Sequence, residues 1–496
     1  MPKFNKTFLG NVAIVSFGPI FASVLGFFAE PWIARFWDPA LFGIGAYFNS
    51  IILMISPLFY LRYNFAIIQA KDREEAGSLF VLSLIIMSVL ITILYFFYGI
   101  IVKFASNEFP FENYKLIFFV TIIAASLSVL FRFWYSSQKK FVAITISTVI
   151  VSLLGTILLL IFGSQGKTTE ANMVFIRAVP HIAVVLVLLI PILKKDLLQI
   201  FKSVSVSSIV SAAKKHKRYP LFEYWGYLAY IINFSIPILL IAKYWGQETN
   251  GLFAKSFNLL YIFVALLGES VNRVLHKEVA DKVNNKEEIA SLIGGVRAGL
   301  YKLAILPTVI IVLLGPEIFT IFLGSKWELS GRFAQWVMIW MFAAILNNSI
   351  LPVFGVLNKQ KQFTFFTVFT LIVRIIILTT LGLYKVNILV AVAIFSIVNF
   401  VVTSATSSYV LHLSKVNIRD SIKQTAKPTL QLVPYIVIVA IMKYVFKLSP
   451  INLLILAAAL SIPYIYLFYI RNSDILSMVL SFGKNKLGYK YSSQTK

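Results

Sequence analysis

Four basic side chains, Arg62, Arg177, Lys255 and Arg374, and three carboxylates, Glu30, Glu223 and Glu269, interrupt apolar runs long enough to cross a lipid bilayer. A charge at the bilayer centre costs ~2.5 to 3.5 kcal/mol on insertion scales, so such residues face protein or water rather than lipid. A guanidinium in a low-dielectric cavity is suited to holding an anion through paired hydrogen bonds. The four cations are therefore the candidate substrate-binding set, and the substrate expected of them is anionic. A carboxylate that alternately binds a proton or Na+ is the matching device for coupling to an ion gradient, which makes Glu30, Glu223 and Glu269 the coupling candidates.

Each has a plainer reading beside the functional one. Arg374 lies about equally far from both ends of its run, which makes snorkelling hard and leaves a cavity role or a structural pair. Arg62 sits within about two turns of a cytoplasmic end, so snorkelling is open to it. Arg177 and Lys255 fall near the outer face, whereas Arg132 and Arg273 lie at cytoplasmic ends and read as topology anchors. Glu269 precedes Arg273 by four residues and can neutralise it on a helix; Glu30 and Glu223 have no such local partner.

Other chemistries find little support. There is no cysteine, hence no disulfide or thiolate metal site, and the four histidines lack the spacing of a helical zinc site. Gly166-Lys167-Thr168 has the ending of a phosphate-binding loop, but Ile161 stands where that motif needs glycine. No catalytic residue, metal or cofactor is expected, and a transporter is expected rather than an enzyme.

The elements that must position these residues are membrane helices. Of 496 residues 59% are hydrophobic and 13% charged, too few polar groups to cover a soluble surface. Runs able to cross ~30 Å of hydrocarbon are expected near 9–34, 41–68, 79–101, 116–135, 142–161, 173–193, 221–241, 252–271, 303–323, 334–357, 363–383, 388–413, 430–446 and 451–470. The fold class is thus all-α integral membrane, with about fourteen spans. The net charge of +25 sits mostly in alternate connections, among them Lys71 and Arg73, Lys139 and Lys140, Lys194 to Arg218, Lys277 to Lys286, and Lys359 with Lys361. With both termini cytoplasmic, these connections are the inner loops. Their sidedness points to anionic lipid and an anionic substrate, not to nucleic acid.

A repeat divides the chain. Ala34, Arg35, Phe36 and Trp37 recur as Ala242, Lys243, Tyr244 and Trp245, and Gly43 and Ala46 as Gly251 and Ala254, all 208 positions apart. Two six-helix lobes of like orientation follow, over 1–193 and 219–414. They are joined by a basic segment, 194–218, suited to the membrane surface through Leu197, Leu198, Ile200, Phe201 and Val204, and followed by two further helices and a basic tail over 415–496.

The stretches Pro31-Trp-Ile-Ala-Arg35-Phe-Trp-Asp-Pro39-Ala-Leu-Phe-Gly43, Leu61-Arg62-Tyr63-Asn64-Phe-Ala-Ile67, Arg218-Tyr-Pro220 and Phe322-Leu-Gly324-Ser-Lys-Trp327 resemble the polysaccharide flippases of the multidrug/oligosaccharidyl-lipid/polysaccharide exporter superfamily. Asn64 departs from that pattern, which carries an acidic residue there. The resemblance implies transfer of undecaprenyl-diphosphate-linked oligosaccharide repeat units, destined for O-antigen, capsule or exopolysaccharide, from the cytoplasmic to the outer leaflet of the bacterial cytoplasmic membrane. It implies alternating access without ATP, and as partners membrane lipids, H+ or Na+, and the polysaccharide polymerase machinery. A multidrug exporter of the same superfamily and a cell-wall lipid precursor flippase are the alternatives. A membrane polymerase or ligase is a weaker one, since the outer loops are short.

Overall fold

Hydrocarbon offers no partner for a backbone N–H or C=O, so apolar runs of this length close their hydrogen bonds within helices. The computed structural model describes residue 22 and residues 24–105, 112–195 and 204–470. In chain order the helices are α1 (residues 24–36), α2 (Pro39–Ile55), α3 (Tyr63–Gln69), α4 (Arg73–Ala105), α5 (Lys115–Ser137), α6 (Phe141–Ser164), α7 (Glu170–Lys195) and α8 (Val206–Lys215). They continue as α9 (Tyr224–Phe263), α10 (Ser270–Asn284), α11 (Ala290–Leu323), α12 (Glu328–Ile350), α13 (Pro352–Val356), α14 (Gln360–Leu383), α15 (Ile388–Leu413), α16 (Ile418–Gln431), α17 (Val433–Tyr444) and α18 (Pro450–Ile465).

Among the described residues twelve helical runs are long and apolar enough to cross a membrane. Eleven correspond one to one with expected spans. The twelfth, Tyr219–Gly268, holds both the seventh and the eighth, separated at Gly246, whose φ of 83° breaks the helix. The first expected span lies largely outside the described residues, as do Leu197, Leu198, Ile200 and Phe201 of the basic segment and the basic tail.

Contacts divide the chain into two compact units, 1–254 with 367–386, and 255–366 with 387–496. The first is packed around aromatic side chains including Phe48, Tyr60, Phe80 and Trp134. The second has two apolar clusters, one around Ile293, Ile350 and Phe354, the other around Leu314, Tyr435 and Val439.

In the first unit the repeated residues make repeated contacts. Trp37 Nε1 donates to Leu159 O and Trp245 Nε1 to Val386 O, each at 2.9 Å. Phe36 packs on Gly163 and its counterpart Tyr244 on Gly382, at positions where a Cβ would strike the ring. The repeated glycines meet each other: a Cβ on Gly43 would lie 2.8 Å from Gly251 N and one on Gly251 2.8 Å from Gly43 N. Small residues let membrane helices approach backbone to backbone, and this reciprocal crossing of α2 and α9 sits on a local two-fold. Asn250 Nδ2 seals it with a 3.1 Å bond to Gly43 O.

The basic segment ends in α8, capped by Ser205, whose side chain accepts from Ser208 N. Glu75 at the start of α4 holds this helix down, with Lys215 Nζ at 2.6 Å and His216 Nε2 at 2.7 Å from its Oε1. Ser78 Oγ adds a bond to Ser208 Oγ at 3.0 Å and Tyr63 OH one to Ala213 O at 3.2 Å.

Prolines punctuate the spans, and three of the carbonyls they leave without an intrahelical donor are taken up by distant side chains. Pro352 frees Asn348 O, which accepts from Asn272 Nδ2 at 2.6 Å. Pro316 frees Val312 O, which accepts from Gln335 Nε2 at 2.7 Å, one helical turn from the close approach of Gly315 and Gly331. Pro237 frees Asn233 O, and there the donor is Arg374.

Candidate functional site

Arg62 is not within a helix. Pro57 cannot donate back to Leu53, α2 gives way to a 3-10 turn over Ser56–Tyr60, and Leu61 and Arg62 both take left-handed φ, 45° and 70°. Two successive non-glycine residues there cost of order 1 kcal/mol or more each and persist only where their surroundings hold them. Tyr60 OH supplies one hold, donating to Ser126 O. The break turns the Arg62 guanidinium onto the ring of Tyr227, 3.8 Å from its centroid, and beside Phe65 at 4.6 Å. Its Nε is buried and has no hydrogen-bond partner among the described residues. Glu223, just before α9, lies within electrostatic reach of it, and Arg218 Nε is 4.0 Å from the Glu223 carboxylate.

Arg177 on α7 repeats the arrangement on other elements. Its guanidinium stands 5.3 Å from the Phe42 ring centroid, its buried Nε likewise lacks a partner among the described residues, and Glu30 on α1 lies within electrostatic reach. Gly45 makes the room, since a Cβ there would come 2.7 Å from Met173 Sδ and 3.1 Å from Arg177 Nε. Two candidate cations and two candidate carboxylates, read from the sequence as separate sets, are thereby brought within electrostatic reach of each other in the first unit, Arg62 of Glu223 and Arg177 of Glu30.

The remaining candidates are placed differently. Arg374 on α14 is 7% exposed, with Nη1 2.5 Å from Asn233 O; Asn233 in turn donates to Thr367 O at 2.9 Å. Arg374 thus closes the gap left by Pro237. Lys255 belongs to the second unit, 1% exposed, with Nζ 4.8 Å from the Trp327 ring centroid. The side chains of Glu269 and Arg273 lie outside the described residues.

A double-mutant cycle isolates the role of Arg374. Arg374→Ala leaves Asn233 O unpaired in a buried place, so the variant is expected to be less stable by about 1.5–3 kcal/mol. In a Pro237→Ala background the helix supplies its own N–H, and the loss is expected to shrink by half or more. Thermal unfolding of the four proteins in one detergent measures the coupling; equal losses in both backgrounds would remove the proline from the explanation.

Sequence reasoning missed two features here. Arg132, read as an anchor, has a buried Nε without a partner among the described residues and acts electrostatically on His181, which is 8% exposed on α7. Asn64, next but one to Arg62, is 1% exposed, and neither end of its amide has a partner among the described residues. The departure from the acidic pattern at position 64 was the available signal for the second.

The sequence signature described as "Polysaccharide biosynthesis protein" matches residues 32–331. The chain belongs to this family. That stretch carries Arg62, Arg177, Glu223 and Lys255. No curated protein sequence matches the chain. Among solved structures the chain is similar to "Lipid II flippase MurJ, inward closed conformation", with a TM-score of 0.68 at 14% identity over 92% of this chain and 99% of that one. It is also similar to a multidrug resistance MATE family transporter of the MOP superfamily in an inward-facing conformation, with a TM-score of 0.50 at 15% identity over 80% of this chain and 95% of that one. At such identities the likeness is one of fold, which the chain shares with both proteins.

Proposed function

We propose that this polysaccharide biosynthesis protein is a flippase that carries undecaprenyl-diphosphate-linked oligosaccharide repeat units from the cytoplasmic to the outer leaflet by alternating access, driven by a proton or Na+ gradient. One observation carries the reading: Arg62 and Arg177 each keep a buried Nε without an acceptor among the described residues, on an aromatic face and near a carboxylate. A diphosphate brings the acceptor oxygens that these guanidiniums lack, in the planar, paired geometry that arginine favours.

The nearby carboxylates give the cycle a means of release. Glu223 and a substrate diphosphate compete for Arg62, and Glu30 and the diphosphate for Arg177. A protonated carboxylate does not compete, so proton binding and anion binding favour each other, and deprotonation returns the arginine to its carboxylate. The sidedness of the basic loops supports a capture step at the cytoplasmic face with both termini inside, where those loops would attract an anionic headgroup before it enters. The two repeats, 1–193 and 219–414, are the bodies that alternate. O-antigen, capsule and exopolysaccharide units share the diphosphate, so this chemistry serves any of them.

The test is translocation in proteoliposomes, offering in parallel a lipid-diphosphate oligosaccharide, a lipid diphosphate bearing a cell-wall precursor headgroup and a lipophilic cationic drug. Movement of the first, faster under an imposed proton or Na+ gradient, is the expected result. Movement of the cation alone would replace the proposal with drug export, and preference for the cell-wall headgroup would replace it with precursor flipping.

A further inference from the structure

The second unit contains a cleft that the transport reading does not use. It has a volume of about 640 Å³ and lies between the first turns of α11, the length of α16 and the chain just past α18. Lys302, Lys423 and Lys427 line it with Gln424 and Gln431, and no Asp or Glu does. Lys423 and Lys427 are one turn apart on α16, about 6 Å along its axis, and share the cleft lining with Lys302 of α11. None of the three forms an ion pair among the described residues. Leu467 and Phe468 give the cleft apolar lining. On α11 the wall is low: Gly295 lines the cleft, and a Cβ there would meet nothing within 4 Å.

The position in depth is set by the spans. The cleft is built from the start of Ala290–Leu323, the start of Arg419–Tyr444 and the end of Pro450–Phe468. Strict alternation brings two starts and one end to the same side when the intervening spans are counted, and that side is the basic, cytoplasmic one. α16 is moreover mostly polar and carries its Ile422 and Leu430 exposed, the pattern of a helix at the edge of a membrane.

We propose that this cleft binds the headgroup of an anionic phospholipid of the cytoplasmic leaflet, with the phosphate on Lys302, Lys423 and Lys427 and the upper acyl chain against Leu467 and Phe468. Three uncompensated ammonium groups at a membrane edge select negative charge, and the apolar lining from Leu467 and Phe468 selects an amphiphile over a soluble phosphate. The two glutamines offer donors and acceptors to the hydroxyls of a glycerol-type headgroup. An occupied cleft ties α11, α16 and the end of α18 together, so lipid composition would act on the second unit from outside the transport path.

The full chain, purified and delipidated in a neutral detergent, tests this by titration with short-chain phosphatidylglycerol, phosphatidylcholine and free glycerol phosphate, read by native mass spectrometry and thermal unfolding. Phosphatidylglycerol is expected to bind and stabilise the parent, and the other two ligands not. Replacing Lys302, Lys423 and Lys427 together by glutamine is expected to weaken that binding roughly a hundredfold, from about fivefold per lysine. Gly295→Phe, which fills the cleft without changing charge, should weaken it too and guards against a folding defect in the triple variant. Lys359→Gln with Lys361→Gln removes two basic residues outside the cleft and should bind as the parent does. Parental affinity in the triple variant, or an equal loss in the Lys359 and Lys361 pair, would overturn the site; equal stabilisation by free glycerol phosphate would overturn its assignment to a lipid.

Discussion

Arg177→Ala is expected to lower translocation of a lipid-diphosphate oligosaccharide by about ten- to a hundredfold, the loss of a charged hydrogen bond worth about 1.5–3 kcal/mol, while leaving the protein folded. The side chain is already without an acceptor at Nε among the described residues and rests on Phe42, so its removal breaks no hydrogen bond at Nε and the expected damage falls on the anion. Arg177→Lys keeps the charge but loses the planar fork, and an intermediate rate is expected. Glu30→Gln separates the two roles of the pair: transport down a substrate gradient is expected to persist, and its acceleration by an imposed ion gradient to disappear. The same series at Arg62 and Glu223 should behave alike, with Arg62 the more sensitive to structural change because its backbone is held in a left-handed conformation. A parental rate for Arg177→Ala at matched protein level would take Arg177 out of the site.

Gly43→Val and Gly251→Val are each expected to prevent accumulation of folded protein. The two glycines approach so closely that a Cβ on either meets the backbone of the other helix, Gly43 against Gln247 O and Gly251 against Pro39 O. Side-chain clashes relax by changing rotamer, but a clash with a carbonyl relaxes only if α2 and α9 move apart. Such separation also pulls Asn250 from Gly43 O, and the combined cost is expected to exceed about 3 kcal/mol. Gly99→Ala is the control, since a Cβ at that position meets nothing within 4 Å. Detergent-solubilised yield and size-exclusion profile measure the difference. A monodisperse Gly43→Val protein at parental yield would show that the crossing tolerates separation.

The sequence by itself determined the fold class, because the only economical burial of so many apolar residues with so few charges is a set of membrane helices, and each span's backbone is satisfied locally. It also determined the repeat: Trp37 and Trp245, or Gly43 and Gly251, are conspicuous against an apolar background and hold their spacing. Even the break between the seventh and eighth spans had a local cause, at Gly246. What the tertiary structure decided was which charges lie within reach of one another. Arg62 and Glu223 are separated by 161 positions and Arg177 and Glu30 by 147, and no periodicity along one helix relates residues on two. Arg374 shows the same limit from the other side. Its Nη1 meets Asn233 O, which Pro237 frees four residues further along the same helix, and nothing in the local sequence relates Asn233 to an arginine 141 positions away. Hydropathy fixes depth in the membrane, a property of each segment alone; which polar group faces which depends on how the segments pack, and that is a property of the folded chain.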